Sequence, residues 1–279
     1  MFDVEELVTK TFLDYWGFDR LPFPKNARDE DTLVNPRFQY ALTRLQQVLA
    51  TKEIGVVVGE AGTGKSTLLN LFSSQVSPSR YRIIHLPQPQ TRSRELYRAI
   101  SSALGVNTSL YGADALKVND LLGFSYVESG RHNILVIDEA HELSLTCLNE
   151  LRLLTNATVK GEPLLTLFLF GQPSLATTLK LPAMIPLAQR ISAWISLEGL
   201  AEEETINYID WHLNIAGQAD EIFPTATKKA IHRRSQGNPR LINRLAWESL
   251  NQASLDKAKV VTEELFAYVC KNLGPHLTN

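Results

Sequence analysis

An eight-residue segment, GEAGTGKS at 59–66, has the residue types and spacing of a phosphate-binding loop. It fits the pattern G-x-x-x-x-G-K-[ST] and lies between an apolar stretch, IGVVV (54–58), and the start of an apolar helical pattern, TLLNLF. In such a loop the backbone N–H groups and the lysine bind phosphate oxygens, and the hydroxyl binds Mg²⁺. The segment therefore predicts a site for a nucleoside triphosphate and Mg²⁺, and the strand–loop–helix context disfavours a Gly-rich turn without a ligand. The expected binding residues are Gly59, Glu60, Ala61, Gly62, Thr63, Gly64, Lys65, Ser66 and Thr67, with Ser66 as the metal ligand.

A second segment, ILVIDEAHE (134–142), places two acidic residues directly after an apolar strand pattern. In open α/β sheets, ligands bind beyond the carboxyl ends of the strands. We therefore expect Asp138 to hold Mg²⁺ through water together with Ser66, and Glu139 to orient and polarise the attacking water. The alternative is a strand end with a solvated acidic pair, which the upstream phosphate-binding pattern disfavours.

Two further polar residues follow or precede apolar strand patterns. In FLFGQPSL (168–175), Gln172 could contact the γ-phosphate or the attacking water, although a plain strand-to-helix turn explains the same pattern. In PLAQRISAWISL, Arg190 precedes a strand and would suit completion of a neighbouring subunit's site, because a guanidinium neutralises charge on the γ-phosphate. An arginine in a surface salt bridge is the alternative.

The segment GNPRLINRL (237–245) places Arg240 in the first turn of a helix that Pro239 opens. A cation at a helix N-terminus opposes the helix dipole, so this position favours an anionic partner such as the nucleotide phosphates. A surface arginine without a ligand is the alternative.

A parallel sheet would bring the acidic residues and the phosphate-binding loop together. Apolar strand patterns occur at 54–58, 81–86, 133–138, 164–170 and 191–197. Helical patterns lie between them near 65–76, 93–104, 114–129 and 145–157. Strands that alternate with helices and are apolar on both faces predict a parallel sheet covered on each side.

The pattern changes near Gly199, where strands stop and four helical segments follow, each with cap and stop residues. The predicted fold class is therefore α/β, a nucleotide-binding domain with a five-stranded parallel sheet, followed by a small all-α domain. The expected divisions are N-terminal helices and a connector at 1–52, the α/β domain at 53–199 and the all-α domain at 200–279.

Composition limits the class of protein. Hydrophobic residues make up 44% and charged residues 21% of the 279 residues, which is typical of a soluble globular protein. The net charge of −2 requires any contact with nucleic acid to come from a local basic patch. Two cysteines are too few for a disulfide framework, and we find neither a membrane span nor a signal peptide pattern. We expect a cytoplasmic protein with no membrane partner.

The ordered set GEAGTGKS, ILVIDEAH, FGQPSL, LAQRI and GNPRLIN resembles the AAA+ ATPases. Within them it is most similar to the bacterial ExeA-like group, which includes secretion-associated ATPases and ATP-dependent transposition regulators of the TnsC and Mu B type. The early stretch YWGFDRLPFPKNARDEDTLVNPRFQYALTRLQQVL resembles the N-terminal signature of that group, near the adenine. The resemblance covers nearly the whole chain and implies an AAA+ fold with a helical lid, and ATP and Mg²⁺ as cofactors.

The resemblance also implies roles for single residues. Lys65 and Ser66 match the phosphate-loop lysine and the Mg²⁺ hydroxyl, and Asp138 and Glu139 match the Mg²⁺ carboxylate and the hydrolytic base. Gln172 occupies the first sensor position, where many members carry Asn or Thr. Arg190 falls at the position of a trans-acting arginine finger, and Arg240 at that of the lid sensor arginine. Such proteins are active as homo-oligomers, because the arginine of one subunit completes the site of the next.

Two functions within the group remain open. The secretion ATPases are usually longer, so a chain that ends after the lid favours a stand-alone regulator of DNA transposition. Such a regulator forms an ATP-bound ring or filament on double-stranded DNA and recruits or activates a DDE-type transposase, with or without a target-selection protein. The alternatives are a secretion or envelope-assembly ATPase of the ExeA type, and a slowly hydrolysing nucleotide switch that acts through assembly.

A DNA-binding surface is expected in PQPQTRSRELYRAI (87–100), which follows the second strand. Thr91, Arg92 and Arg94 would bind phosphates there without reading bases, and Lys117 in a later stretch is a further candidate. Solvated helix faces are the alternative for both segments.

Overall fold

The computed structural model describes residues 4–24, 32–88, 92–106, 115–218 and 221–273. These residues form two compact units. One consists of Pro36–Leu197, and the other combines the described parts of Met1–Asn35 and Glu198–Asn279.

The first unit is built on a five-stranded parallel sheet with the strand order β2-β3-β6-β1-β7. The strands of the unit are β1 (Ile54–Gly59), β2 (Tyr81–Leu86), β3 (His132–Ile137), β4 (Thr158–Val159), β5 (Glu162–Pro163), β6 (Leu165–Gly171) and β7 (Ile191–Leu197). The five predicted strands are confirmed within one residue at each end. A parallel sheet follows from their composition, because β3 and β6 are buried along their whole length.

Helices cover both faces of this sheet. Side chains of α2 and α3 form one core with Val57, Val136 and Phe168, and α4 to α7 form the other with Val56, Leu135 and Leu167. Neighbouring residues of one strand therefore face opposite cores, as the two-residue period of a strand requires. The helices of the unit are α2 (Pro36–Thr51), α3 (Lys65–Gln75), α4 (Ser93–Ala103), α5 (Ala115–Ser129), α6 (Leu145–Leu154), α7 (Pro173–Leu179) and α8 (Ile185–Ala188).

The sequence patterns did not predict the small antiparallel hairpin of β4 and β5. Its turn residues, Lys160 and Gly161, both have positive φ, at 52° and 83°. Two-residue hairpin turns need such backbone angles because their twist matches that of the strands. The hairpin lies between the helix that we expected at 145–157 and the strand that we expected at 164–170, and α6 ends earlier, at Leu154.

A buried polar cluster connects the start of β3 to its neighbours. The side-chain amide of Asn133 donates to the carbonyl oxygens of Leu122 (3.3 Å) and Leu164 (3.2 Å). Nε2 of His132 lies 2.8 Å from the hydroxyl of Thr166, and burial lowers the pKa of His132 from 6.5 to about 4. These contacts bind β3 to α5 and to β6, and so stabilise the order of strands on which the site depends.

The second unit is helical. It contains α1 (Val4–Trp16), α9 (Glu202–Ile215), α10 (Thr225–Ser235), α11 (Pro239–Leu255) and α12 (Glu263–Asn272). The four helical segments predicted after Gly199 correspond to α9 to α12, and the all-α class of this region is confirmed. No helix among the described residues of either unit is long and apolar enough to cross a lipid bilayer.

The N-terminal residues are divided between the two units, whereas the sequence patterns grouped residues 1–52 together. Phe12, Trp16 and Phe18 are buried in the helical core, and the ring of Phe12 lies 4.8 Å from that of Trp247 in α11. By contrast, α2 packs on α3 and β7 of the sheet unit. Burial of this aromatic cluster explains why α1 joins the helical unit.

Candidate nucleotide-binding and hydrolysis site

Strand order brings the predicted catalytic groups to one edge of the sheet. β6 lies between β3 and β1, with Ile137 opposite Leu169 and Val58 opposite Gly171. The residues that follow β3, β6 and β1 therefore emerge side by side, with the outer two strands about 10 Å apart. This edge carries Asp138 and Glu139, Gln172, and the segment 60–66.

The segment after β1 has the geometry of a loop that leads into a helix N-terminus. Gly64 has a φ of +96°, which is left-handed, and α3 begins at the next residue. The loop is closed by Thr63, whose backbone N–H and hydroxyl both donate to the carbonyl of Glu60, at 3.3 and 2.9 Å. The N–H groups of the first turn of α3 have no carbonyl partner within the helix, which makes this end suitable for an anion.

Lys65 is held within the loop. Its ammonium group donates to the carbonyl oxygens of Gly59 (2.7 Å) and Glu60 (3.0 Å), and the residue is only 7% exposed. The next residue, Ser66, is exposed at the surface. The loop therefore fixes the position of the Lys65 ammonium group, and the hydroxyl of Ser66 is accessible to a ligand.

Asp138 and Glu139 follow β3 directly. The N–H of Asp138 donates to the carbonyl of Leu86 (3.1 Å), and Oδ1 of Asp138 accepts from the N–H of Glu139 (2.9 Å). Glu139 has a φ of +50°, a left-handed conformation that costs free energy in a residue other than glycine. Backbone strain of this kind is typical of functional sites, where the surroundings hold it in place.

The Glu139 carboxylate has an uneven environment. Its side chain is 45% exposed, yet Oε2 is buried and accepts no hydrogen bond from the described residues. Nδ1 of His141 lies 3.4 Å from this oxygen. His141 was not among the predicted site residues. Its place in the segment DEAH, two residues after Glu139, was the only feature of the sequence that could have indicated a role in the site.

Gln172 lies between the acidic pair and the phosphate-binding loop, in the order of the strands. It is half-buried, precedes Pro173 at the start of α7, and its side chain does not cap that helix. The strand-to-helix turn considered from sequence is therefore present. The sensor role of Gln172 stays a prediction.

Arg190 lies at the other end of the strands, where the parallel strands begin. It directly precedes β7, whose first residue pairs with Ile54 at the start of β1. The length of β1 therefore separates it from the phosphate-binding loop of its own copy by about 17–20 Å. Arg190 is exposed, and Nη1 contacts Oδ1 of Asn156 and the carbonyl oxygen of Arg152 (3.3 Å). This geometry suits a role in another copy, which stays a prediction.

Arg240 belongs to the helical unit and is exposed in the first turn of α11. Oδ1 of Asn238 caps the helix by accepting from the N–H groups of Arg240 (3.1 Å) and Leu241 (3.4 Å). Gly237 has a packing role, because a Cβ there would lie 2.0 Å from the carbonyl oxygen of Leu200. Part of the GNPR motif thus has a structural explanation, and phosphate binding by Arg240 stays a prediction.

The donor set at the carboxyl edge fits Mg²⁺. Magnesium prefers oxygen ligands and binds through one or two carboxylates together with waters and substrate phosphates. Ser66 and Asp138 supply a hydroxyl and a carboxylate at this edge. No group of three or more His, Cys, Asp or Glu residues suited to a metal ion occurs in the described ranges. The assignment of Ser66 and Asp138 as metal ligands stays a prediction.

The residues predicted to bind DNA are only partly described. Arg92 and Arg94 are exposed at the start of α4, together with Arg98. Lys117 is exposed in the first turn of α5. Thr91 lies outside the described residues.

The sheet order, the loop after β1 and the helical unit together define the α/β AAA+ fold. Residues 47–179 match the family model described as an AAA domain, which implies binding of ATP and Mg²⁺ in general. General secretion pathway protein A of Aeromonas hydrophila is 32% identical over 253 residues, or 86% of this chain. The chain spans only 44% of the length of that relative.

Solved structures show the same fold at low sequence identity. The Aeropyrum pernix ORC2 protein has a TM-score of 0.61 at 14% identity, covering 93% of this chain and 70% of its own. The Thermotoga maritima RuvB Holliday junction branch migration motor has a TM-score of 0.57 at 17% identity, covering 90% and 73%. Cdc6p of Pyrobaculum aerophilum has a TM-score of 0.62 at 15% identity, covering 94% and 71%. The predicted fold class is confirmed.

The loop geometry predicts that Lys65→Ala weakens ATP binding by about 10- to 100-fold, because hydrogen bonds to charged groups contribute about 1.5–3 kcal/mol. Titration with a fluorescent ATP analogue in the presence of Mg²⁺ measures the Kd. Lys52→Ala is the matched control, since Lys52 pairs with Glu162 at 2.5 Å near the start of β1. Equal Kd values for the two variants would contradict the assigned role of Lys65.

Proposed function

We propose that this protein hydrolyses ATP as an assembly ATPase of the kind found in the general secretion pathway. The observation that carries the hydrolytic part is the alignment of Lys65, Ser66, Asp138 and Glu139 at adjacent strand ends. The secretion part rests on the 32% identity to general secretion pathway protein A over 86% of this chain.

Different residues of the chain have different roles in the proposed hydrolysis of ATP. Lys65 and the N-terminus of α3 bind the β- and γ-phosphates, and Ser66 and Asp138 hold Mg²⁺. Glu139 orients a water for in-line attack on the γ-phosphate, and Gln172 contacts that phosphate or the water. Bound Mg²⁺ neutralises charge that develops on the phosphate oxygens.

The two arginines with proposed roles, Arg190 and Arg240, do not lie at the carboxyl ends of the strands. We propose that Arg190 completes the ATP site of an adjacent copy, because it lies about 17–20 Å from its own phosphate-binding loop. We also propose that Arg240 binds the nucleotide phosphates. The protein then acts as a homo-oligomeric ring or filament, in which bound ATP favours assembly and hydrolysis releases it.

Glu139→Gln is expected to lower kcat for ATP hydrolysis by about 10²- to 10⁴-fold, the range for loss of a general base. The Kd for ATP should change less than twofold, because Gln preserves the shape of the side chain. Phosphate release and the titration described for Lys65 measure the two quantities. Glu142→Gln is the matched control, since Glu142 is exposed in the same turn. Hydrolysis by Glu139→Gln at the wild-type rate would exclude Glu139 as the base.

A second candidate function, regulation of DNA transposition, is favoured by one observation. Arg92 and Arg94 are exposed at the start of α4 and Arg98 is exposed in its middle, where they could bind the phosphates of double-stranded DNA. In this case the partner would be a DDE-type transposase, and the ATP-bound assembly on DNA would be the active form.

Secretion by the source cells tests the proposed function. In a strain whose gene carries Lys65→Ala, we expect the amount of exported protein outside the cells to fall to the level of a gene deletion. A strain with Lys52→Ala should export at the wild-type level. Normal export by both strains would contradict a role in secretion.

Binding of the purified protein to a DNA duplex, with a slowly hydrolysed ATP analogue, tests the second candidate. That candidate predicts that Arg92→Ala with Arg94→Ala lowers the slope of log K against log salt by about 1.8, or 0.9 for each lost phosphate contact. Arg80→Ala, at an exposed arginine before β2, is the control. An unchanged slope would exclude the α4 surface as the DNA contact.

A further inference from the structure

One ring nitrogen in the hydrolysis site has two competing neighbours. Nδ1 of His141 lies 3.4 Å from Oε2 of Glu139 and 3.4 Å from the backbone nitrogen of Gln172. The first neighbour is a hydrogen-bond acceptor and the second is a donor. His141 therefore lies between the predicted base and the predicted sensor of the γ-phosphate.

The two contacts exclude each other as hydrogen bonds. In a neutral imidazole, a ring nitrogen either carries a proton and donates or presents a lone pair and accepts. With a proton on Nδ1, the ring donates to the Glu139 carboxylate and leaves the Gln172 N–H without this partner. With a lone pair on Nδ1, the ring accepts from the N–H of Gln172. Nδ1 and Oε2 of Glu139 are then both acceptors and cannot form a hydrogen bond with each other.

The surrounding backbone keeps the ring at this position. His141 lies in the 3₁₀ turn Ala140–Glu142, its side chain is 12% exposed, and Ala140 is fully buried. The turn packs closely on the end of β6, since a Cβ at Gly171 would lie 3.1 Å from the backbone nitrogen of His141. The left-handed Glu139 starts the turn and is held by Oδ1 of Asp138. Small movements of Gln172 or Glu139 therefore change which contact is made.

We propose that His141 is a positioning residue that couples Gln172 to the orientation of Glu139. Before ATP binds, Nδ1 accepts from the Gln172 N–H, and Oε2 of Glu139 accepts no hydrogen bond from the described residues. When Gln172 shifts toward the γ-phosphate, its N–H leaves the ring. The neutral ring then loses its proton from Nε2 to solvent and gains one from solvent on Nδ1. Nδ1–H donates to Oε2 and fixes the carboxylate for its water.

This inference rests on the proposed role of Glu139 as the base, and it deepens that role. The site would hydrolyse ATP only after Gln172, which follows β6, has moved toward the γ-phosphate. His141 does not contact the substrate in this account, so its loss should change the rate of hydrolysis and leave the affinity for ATP unchanged.

Three variants of His141 test the coupling through kcat and the Kd for ATP. We expect His141→Ala to lower kcat by about 10- to 100-fold, as is typical for residues that orient a reactive group. The Kd for ATP should stay within twofold of wild type. His141→Asn should recover most of kcat, because its terminal amide can either donate or accept near the position of Nδ1. His141→Gln should not, since its amide lies closer to the position of Nε2.

His85→Ala is the control, because His85 is exposed on β2. A purely structural role for His141 would raise the Kd, or lower kcat equally in the Ala and Asn variants, and would overturn the proposal. Wild-type kcat in His141→Ala would overturn it as well.

Nitrogen NMR of the imidazole rings gives a readout that does not depend on hydrolysis. The chain has six histidines, so comparison with His141→Asn assigns the signal. We expect Nε2–H without nucleotide and Nδ1–H with a slowly hydrolysed ATP analogue and Mg²⁺. The same tautomer in both states would overturn the coupling. If the wild-type protein binds the analogue without hydrolysing ATP, the proposed function fails, and the tautomer still decides the role of His141.

Discussion

The parallel pairing of β3, β6 and β1 is the constraint on which the candidate site depends. All seven residues of β6 are buried, and each side of the strand is paired with a parallel neighbour. A shift in register would move apolar side chains of this strand to the wrong face, so burial fixes its alignment. The acidic pair, Gln172 and the phosphate-binding loop consequently share one edge. The same direction of strands puts Arg190 at the other edge, which makes the proposed site depend on a second copy.

The elements that the sequence predicts best are those in which local chemistry and burial agree. The five strands were predictable because each is a short, mainly apolar run bounded by polar residues, glycine or proline. The start of α11 and that of α12 were predictable because Asn238 and Thr262 cap them locally. The places of Lys65 after β1 and of Asp138 after β3 were predictable because each follows a short apolar run in a motif of fixed spacing, and their chemical roles stay predictions. The AAA+ fold was implied by the family resemblance that these motifs carry.

Features that depend on contacts between residues distant in sequence could not be predicted from local patterns. The place of α1 depends on contacts such as that between Phe12 and Trp247, which are more than 200 residues apart. The β4–β5 hairpin needs positive φ at Lys160, a lysine that gives no such signal. His141 acquires its proposed role only because Gly171 lets its turn approach β6. The sequence also left secretion and transposition open, and the identity to general secretion pathway protein A favours the first.

The central claim is that one ATP site uses Glu139 of one copy and Arg190 of another. It is tested most directly by mixing two inactive variants, Glu139→Gln and Arg190→Ala, and measuring ATP hydrolysis by the mixture. In a random equal mixture, about one site in four pairs an intact Glu139 with an intact Arg190 across a head-to-tail interface. We expect the mixture to recover about a quarter of the wild-type rate, with each variant nearly inactive alone. No recovery on mixing, or full activity of Arg190→Ala alone, would contradict it.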